Sequence, residues 1–434
     1  MADKFIINGG KSLNGEVEVR GSKNAAGPVL VATLLTQEEC IIDNIPFIED
    51  ISNILEILKS MGVEVEKGPK GYPEKTIKIK AEKVQPEKID FEKVSKTRIS
   101  VLFFGALLAR TQFHGCPKNF KMPPPGGDRI GLRPISVQLR ALEKLGAKIE
   151  RQGDVYEVSC KNLERPKGHP EIVLEEFSVT ATESVMLAAV LAEGKTIIKG
   201  AAAEPHVQDL GEMLLKMGAK IEGLGTHTVA IEGVEKLHGC THSVIPDSIE
   251  AGTFIIIGAL TPGKIKVTGI NSSHLDLFLA KLEEMGVNME RGENYVIVSH
   301  SPNLKATKVQ ALPYPGFPTD LLPIIIPLLL SAEGKSLVHD PLYENRFNYI
   351  QELKKMGADI EMVDPHRTFV FGPCKLSGSN IDSWDIRAGA CLVIAALSAE
   401  GKTTIENVFQ IDRGYEKIEE RLQKLGADIK RISN

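Results

Sequence analysis

The chain has 434 residues, 42% of them hydrophobic and 25% charged, a composition near the globular average that excludes both a disordered chain and an undersized module. At about 150 residues per domain, this length points to two large domains or to an array of smaller units. Lys and Arg total 52 against 57 Asp and Glu, a net charge of −5, which argues against a protein that holds nucleic acid through excess positive charge, so any anion must be bound locally.

In chain order, FIINGGKSLNGEVEVRG (5–21) reads as a lone strand before the first helix. The phrase LKSMGVEVE, ending at Glu66, then opens a repeat that returns as LEKLGAKIE (Glu150), LLKMGAKIE (Glu222), LEEMGVNME (Glu290), LKKMGADIE (Glu361) and LQKLGADIK (Lys430). Its glycines are Gly62, Gly146, Gly218, Gly286, Gly357 and Gly426, spaced by 84, 72, 68, 71 and 69 residues. Apolar residues at helical spacing, then Gly, then alternating apolar and polar residues, describe an amphipathic helix stopped by a C-cap glycine and followed by a strand. A second phrase, around Gly194, Gly263, Gly334 and Gly401, also joins helix to strand. The helices before it, such as 184–192, 253–260 and 391–399, are apolar on every side, which a helix tolerates when buried all round.

Each repeat thus supplies a buried helix, a half-exposed helix and several strands, an α/β unit. Six units could form one ring or two groups of three. Two groups are preferred, because three inner helices pack under three sheets whereas six leave a central hole. The opening strand then completes the last repeat's domain, giving domain I as 1–21 with 246–434 and domain II as 22–245.

The buried helices begin at Ser22-Lys23-Asn24, Lys96-Thr97-Arg98, Ser178-Val179-Thr180, Asp247-Ser248, Pro318-Thr319-Asp320 and Asp385-Ile386-Arg387. Ser, Thr and Asp there are ordinary N-caps. A cation in a first turn opposes the helix macrodipole, so Lys23, Arg98 and Arg387 need an anion beside them. Either each pairs with a neighbouring carboxylate, or three helix starts from each domain face a shared cleft that takes a ligand with several negative charges, such as a diphosphate or phosphocarboxylate. PPPGGDRIGLRP (123–134), with Asp128, Arg129 and Arg133, suits a mobile flap belonging to domain II. YENRF and IDRGYE carry Arg346 and Arg413, the latter either at a ligand beside Gly414 or in a surface pair with Asp412 or Glu416.

Other patterns carry less. GALTPGK (258–264) has P-loop spacing but Ile265 in place of Ser/Thr, and runs helix to strand, so it is rejected. His238, Cys240 and His242 alternate like metal ligands without a fourth, and His114 with Cys116 is no better, so no metal is expected. The six cysteines (Cys40, Cys116, Cys160, Cys240, Cys374, Cys391) form no close pairs in sequence and read as reduced thiols in a cytoplasmic setting. The opening MADKFIINGGK lacks the apolar segment of a secretory signal, and the longest apolar run, Leu321 to Leu330, is broken by Pro323 and Pro327, so neither export nor membrane insertion is expected.

The motifs GSKNAA (21–26), PGGDRIGLRP (125–134), FPTD (317–320), ENRF (344–347), DIRAGA (385–390) and IDRGYE (411–416), in this order, resemble the UDP-N-acetylglucosamine 1-carboxyvinyltransferases, enolpyruvyl transferases of the first committed step of peptidoglycan synthesis. The resemblance implies a two-domain inside-out α/β barrel of six βαβαββ units, three per domain. It implies transfer of enolpyruvate from phosphoenolpyruvate to the 3′-hydroxyl of UDP-N-acetylglucosamine with release of phosphate, without metal or cofactor, and it leaves protein partners open.

Carried onto matching positions, Lys23, Arg133 and Arg413 would hold phosphoenolpyruvate with Arg387 nearby. Asn24, Arg98, Arg133, Pro134, Ile135, Ser136, Val137, Glu176, Phe177, Ser178, Val179 and Leu342 would contact the nucleotide sugar, with Arg346 also in the substrate site. Asp320 would take the hydroxyl proton and Asp385 would lie near the tetrahedral intermediate.

The chain departs from the family at Asp128, where a cysteine is usual, at Glu176, where a lysine is common, and at Ser136, where an aspartate is common. Asp128 can still donate a proton if its pKa is raised, but it is a far poorer nucleophile than a thiolate, so insensitivity to fosfomycin, which alkylates that cysteine, is expected. Two rivals stay open: a 5-enolpyruvylshikimate-3-phosphate synthase, and a catalytically silent nucleotide-sugar-binding regulator.

Overall fold

The structure is a computed structural model, and it describes residues 3–113, 116–128, 130–163 and 171–433. Arg129 and His114 therefore lie outside the described residues.

Six helices are buried along almost their whole length: α1 (Lys23–Ala32), α2 (Phe103–Arg110), α3 (Val179–Ala189), α4 (Ser248–Leu260), α5 (Leu322–Leu330) and α6 (Ile386–Ser398). Their sequences are mostly apolar, with apolar residues on every side, so no face is suited to water. The half-exposed helices of the repeat phrase are Glu49–Ser60, Ser136–Lys144, Pro205–Lys216, Asp276–Met285, Ile350–Lys355 and Ile418–Lys424. Each is followed by its repeat glycine at φ between 86° and 105°, a left-handed conformation that costs glycine little, and then by a strand.

The chain divides into two compact units. Unit 1 comprises Met1–Arg20, Asp128–Leu132 and Pro246–Asn434; unit 2 comprises Gly21–Gly127 and Arg133–Ile245. The five residues Asp128–Leu132, expected with the rest of the flap in domain II, group with unit 1 instead. Each unit has its own hydrophobic core. In unit 1, α4, α5 and α6 pack on one another, and in unit 2, α2 packs on both α1 and α3.

Five sheets share one design of four strands, a parallel pair extended by two antiparallel strands. In one, Lys308–Gln310 runs parallel to Gly334–His339, which pairs antiparallel with Arg367–Gly372, and that with Ile360–Asp364. The sixth, with Asn119–Met122, Val155–Ser159 and Lys148–Gln152, has three strands among the described residues. The opening segment is two strands where the sequence suggested one. Lys4–Asn8 fills the last repeat's sheet between Lys402–Glu406 and Asp428–Ile432, while Leu13–Glu18 runs parallel to Gly263–Thr268 in another sheet of unit 1. Gly9 and Gly10 separate the two, and a Cβ at Gly9 would collide with the carbonyls of Ala396 and Ala399. Among the described residues no helix is long and apolar enough to cross a membrane.

Candidate active site

In unit 1 the starts of α4, α5 and α6 converge on Arg387. Asp247 caps α4, accepting from the N–H groups of Ile249 and Glu250 at 2.8 and 3.0 Å, and Asp385 caps α6, accepting from Arg387 and Ala388 at 2.9 Å each. Asp320 sits in the single turn Thr319–Leu321 that leads into α5. One of its oxygens accepts from Arg346 Nη2, and the other from Arg387 Nε at 3.1 Å. Arg346 and Arg387 are 1% and 3% exposed, so both charges depend on that carboxylate. Asp340 holds the triad from behind. It accepts from Thr319 Oγ1 at 2.6 Å and from the N–H of Leu342 at 2.8 Å, and Thr319 Oγ1 in turn accepts from Arg346 Nε at 3.2 Å.

Asp385 is 2% exposed, and burial pushes its carboxyl above the ordinary value; Arg346 pulls the other way, while the charge of Asp128 adds to the rise. Asn348 Nδ2 donates to it at 3.2 Å. Arg413 Nη1 lies 2.6 Å from Asp128 Oδ1 and 2.9 Å from Gln410 Oε1. Asp412 pairs with Arg431, and Glu416 pairs with Arg20.

Asp128 is held in place by its neighbours in the chain. Leu132 N donates to Glu344 Oε1 at 2.6 Å, which lowers the Glu344 carboxyl below its ordinary value, and Asn345 N donates to Ile130 O at 3.1 Å. Gly131 has φ 137°, and a Cβ there would collide with the Glu344 carboxylate. Glu344, Asp340 and Asn348 were not singled out in the sequence, although Glu344 lies inside the ENRF motif.

In unit 2 the helix starts also gather. Ser22 and Ser178 cap α1 and α3. Lys23 Nζ pairs at 2.9 Å with Asp50, which is 1% exposed. Gly27 of α1 packs against Ile99, so Lys23 and Asn24 neighbour the turn Arg98–Leu102. Arg98 opens this turn rather than α2 itself, and its Nη2 donates to Pro134 O at 3.2 Å. A Cβ built on Gly127 would stand 2.9 Å from Arg98 Cβ and 3.2 Å from Arg133 Nη1, so two arginines flank that glycine. Ile135, Ser136 and Val137 begin the helix Ser136–Lys144, which Gln138 joins to α3 through Thr180 at 2.5 Å. Glu176 and Phe177 are exposed, Val179 is half-buried, and Phe177 stacks on His227 with centroids 4.6 Å apart. Leu342 is exposed in unit 1.

Of the three first-turn cations, Lys23 and Arg387 have carboxylate partners, the first of the two expectations raised by their position, while Arg98 donates to the carbonyl of Pro134; Arg346 and Arg413 also pair with carboxylates. One observation also favours an anion: Arg387 Nη1 is buried with no hydrogen-bond partner among the described residues, an unmet cationic donor. His242 and His238 do not point to a shared metal. His242 contacts Asp209 and Lys216, and His238 contacts the carbonyl of Gly239. Among the described residues, no group of three or more His, Cys, Asp or Glu is placed to hold a metal ion.

Two three-helix units under sheets of one design, with acidic and cationic helix starts, define the enolpyruvyl transferase fold. The solved structure of the enolpyruvyl transferase NikO from Streptomyces tendae matches with a TM-score of 0.87 over 100% of both chains at 24% identity. EPSP synthase from Acinetobacter baumannii matches at 0.70, covering 99% of this chain and 100% of that one, at 19% identity. The chain belongs to the EPSP synthase (3-phosphoshikimate 1-carboxyvinyltransferase) family, whose profile matches residues 7–422. Within it, the chain is 46% identical to UDP-N-acetylglucosamine 1-carboxyvinyltransferase of Koribacter versatilis (strain Ellin345), over 99% of this chain and 96% of that protein. It is 42% identical to UDP-N-acetylglucosamine 1-carboxyvinyltransferase 2 of Clostridium tetani (strain Massachusetts / E88), over 99% and 100%.

Proposed function

We propose that this chain is an enzyme that transfers the enolpyruvyl group of phosphoenolpyruvate to the 3′-hydroxyl of UDP-N-acetylglucosamine, releasing phosphate, as the first committed step of peptidoglycan synthesis. The observation that carries this reading is identity of 41 to 46% over essentially the whole chain to relatives bearing that name. The shikimate alternative has only the breadth of the family and a likeness of fold in its favour.

The reaction adds the hydroxyl oxygen to C2 of phosphoenolpyruvate while C3 gains a proton, then expels phosphate as C3 loses one. Asp320 is the base for the hydroxyl: it is an ionised carboxylate held in place by two guanidinium groups. Lys23, Arg133 and Arg413 hold phosphoenolpyruvate, and the unmet Nη1 of Arg387 offers it one more donor. Asp128 donates the proton to C3. Arg413 is among its partners, and substrate that draws on that guanidinium while adding negative charge beside Asp128 favours the protonated form. Asp385 stands beside this group and acts on the tetrahedral intermediate. Asn24, Arg98, the segments 133–137 and 176–179, Leu342 and Arg346 line the site for the nucleotide sugar. The reading places the protein in the cytoplasm, where both substrates are made.

Phosphate release from phosphoenolpyruvate should require UDP-N-acetylglucosamine and be absent with shikimate 3-phosphate or with no acceptor. Asp128→Ala and Asp320→Ala should each abolish it. Release with shikimate 3-phosphate would favour the shikimate enzyme, and binding of the nucleotide sugar without any release would favour a silent regulator.

A further inference from the structure

Cys40 and Cys240, far apart in the chain, meet in one sheet of unit 2. The strand Glu39–Asp43 runs parallel to Thr241–Ser243, with Ile41 opposite Thr241 and Ile42 opposite His242. One step back along both strands sets Cys40 opposite Cys240, and Ile41 N donates to Cys240 O at 2.9 Å. Cys40 and Ile42 are buried, as is His242, whereas Thr241 is exposed, so both cysteines lie on the inner face of the sheet. The two thiols are near enough for each to shift the other's ionisation. Neighbouring strands run about 4.8 Å apart, within the span of roughly 4.4–6.8 Å that a disulfide bridges between Cα atoms.

We propose that Cys40 and Cys240 are a redox-active thiol pair that a low-molecular-weight disulfide converts to a Cys40–Cys240 disulfide, fastening the first strand of unit 2 to its last. Cys240 is the attacking sulfur, since it is half-exposed while Cys40 is fully buried. The neighbouring Cys40 S–H holds the Cys240 thiol below its ordinary value; burial opposes this, and the Lys216 ammonium assists it. The Cys240 sulfur beside it, with burial, drives the Cys40 thiol upward. In the first step the Cys240 thiolate attacks one sulfur of the small disulfide, forming a mixed disulfide and expelling one thiolate. Cys40 then gives up its proton and attacks the Cys240 sulfur, expelling the second. Two protein thiols are oxidised, one small disulfide is reduced to two thiols, and the two protons end on those thiols.

The test uses the full-length chain, excess oxidised glutathione near neutral pH, alkylation of remaining thiols, and peptide mapping by mass spectrometry without reduction. The expected result is a peptide linking Cys40 to Cys240, loss of two of the six titratable thiols, and a rise in Tm of several degrees that dithiothreitol reverses. Cys40→Ser should stop at a stable glutathione adduct on Cys240, and Cys40→Ala replaces it if the serine does not fold. Cys240→Ser should show neither adduct nor link. A persistent adduct on Cys240 in the unaltered chain, or both thiols still alkylatable when free cysteine under the same conditions is fully oxidised, overturns the proposal.

Discussion

Asp320 acts both as a bridge between two buried guanidinium groups and as the proposed base, and two substitutions separate these roles. Asp320→Ala removes the carboxylate from Arg346 and Arg387, and breaking a buried pair costs about 3–5 kcal/mol, so its denaturant midpoint should fall along with its activity. Asp320→Asn keeps an oxygen acceptor but removes the base. Its kcat should drop by at least ~10²-fold with KM for both substrates within a few-fold, and near-normal turnover would remove Asp320 from the chemistry. Asp128 supports a second prediction. With a carboxylate instead of a thiol at position 128, the protein should keep its intact mass and its activity after exposure to fosfomycin, whereas Asp128→Cys should gain a covalent adduct. An adduct on the unaltered flap would refute this. The sequence exposed Asp320 because it stands where a helix begins, and Asp128 because it lies among the prolines and glycines of the flap segment 123–134. It hid their partners, since Arg346 and Arg413 reach Asp320 and Asp128 across stretches of chain that no local pattern spans.

Among the helices, α3 carries a charge problem that the chemistry does not explain. Glu183 lies within it, 2% exposed, with Oε1 lacking a partner among the described residues. Burial raises its carboxyl well above the ordinary value, and the nearby charge of Glu204 raises it further. The folded state therefore holds a proton that the unfolded chain has lost above its own pKa of about 4.3. Stability from this group is complete below that pH and declines as pH rises through the interval up to the folded value. Glu183→Gln should flatten the decline: between about pH 5 and about pH 8 the urea midpoint of the unaltered chain should fall more than that of the variant, and equal slopes would contradict the assignment. Sequence alone exposed the helices themselves, because buried helices are apolar all round and each repeat glycine needs a positive φ. It did not expose what depends on pairing between distant strands. The division of the opening segment between two sheets and the meeting of Cys40 with Cys240 follow from register, which composition does not encode.

At the scale of the whole molecule, unit 2 is one stretch of chain interrupted only by Asp128–Leu132, whereas unit 1 needs segments from both ends. The unit boundaries fall at Gly21 and Pro246, and the grouping of 128–132, which no repeat marks, rests on Glu344 and Arg413. Unit 2 has a separate core around α1, α2 and α3, and its ends meet: Ser22 N donates to Ile245 O at 2.7 Å, and Asn44 Nδ2 donates to Val244 O at 2.8 Å. A segment with its own core and adjacent ends has what independent folding requires. Residues 21–245 expressed alone should therefore unfold in a single cooperative urea transition, with near-UV circular dichroism from fixed aromatic packing such as Phe104 against Tyr156. The fragment should show no phosphate release from phosphoenolpyruvate, because Asp320, Asp385 and Arg413 are absent from it. A fragment that keeps helical content but binds apolar dyes and lacks near-UV signal would mean that the core around α1 to α3 forms only in the whole chain.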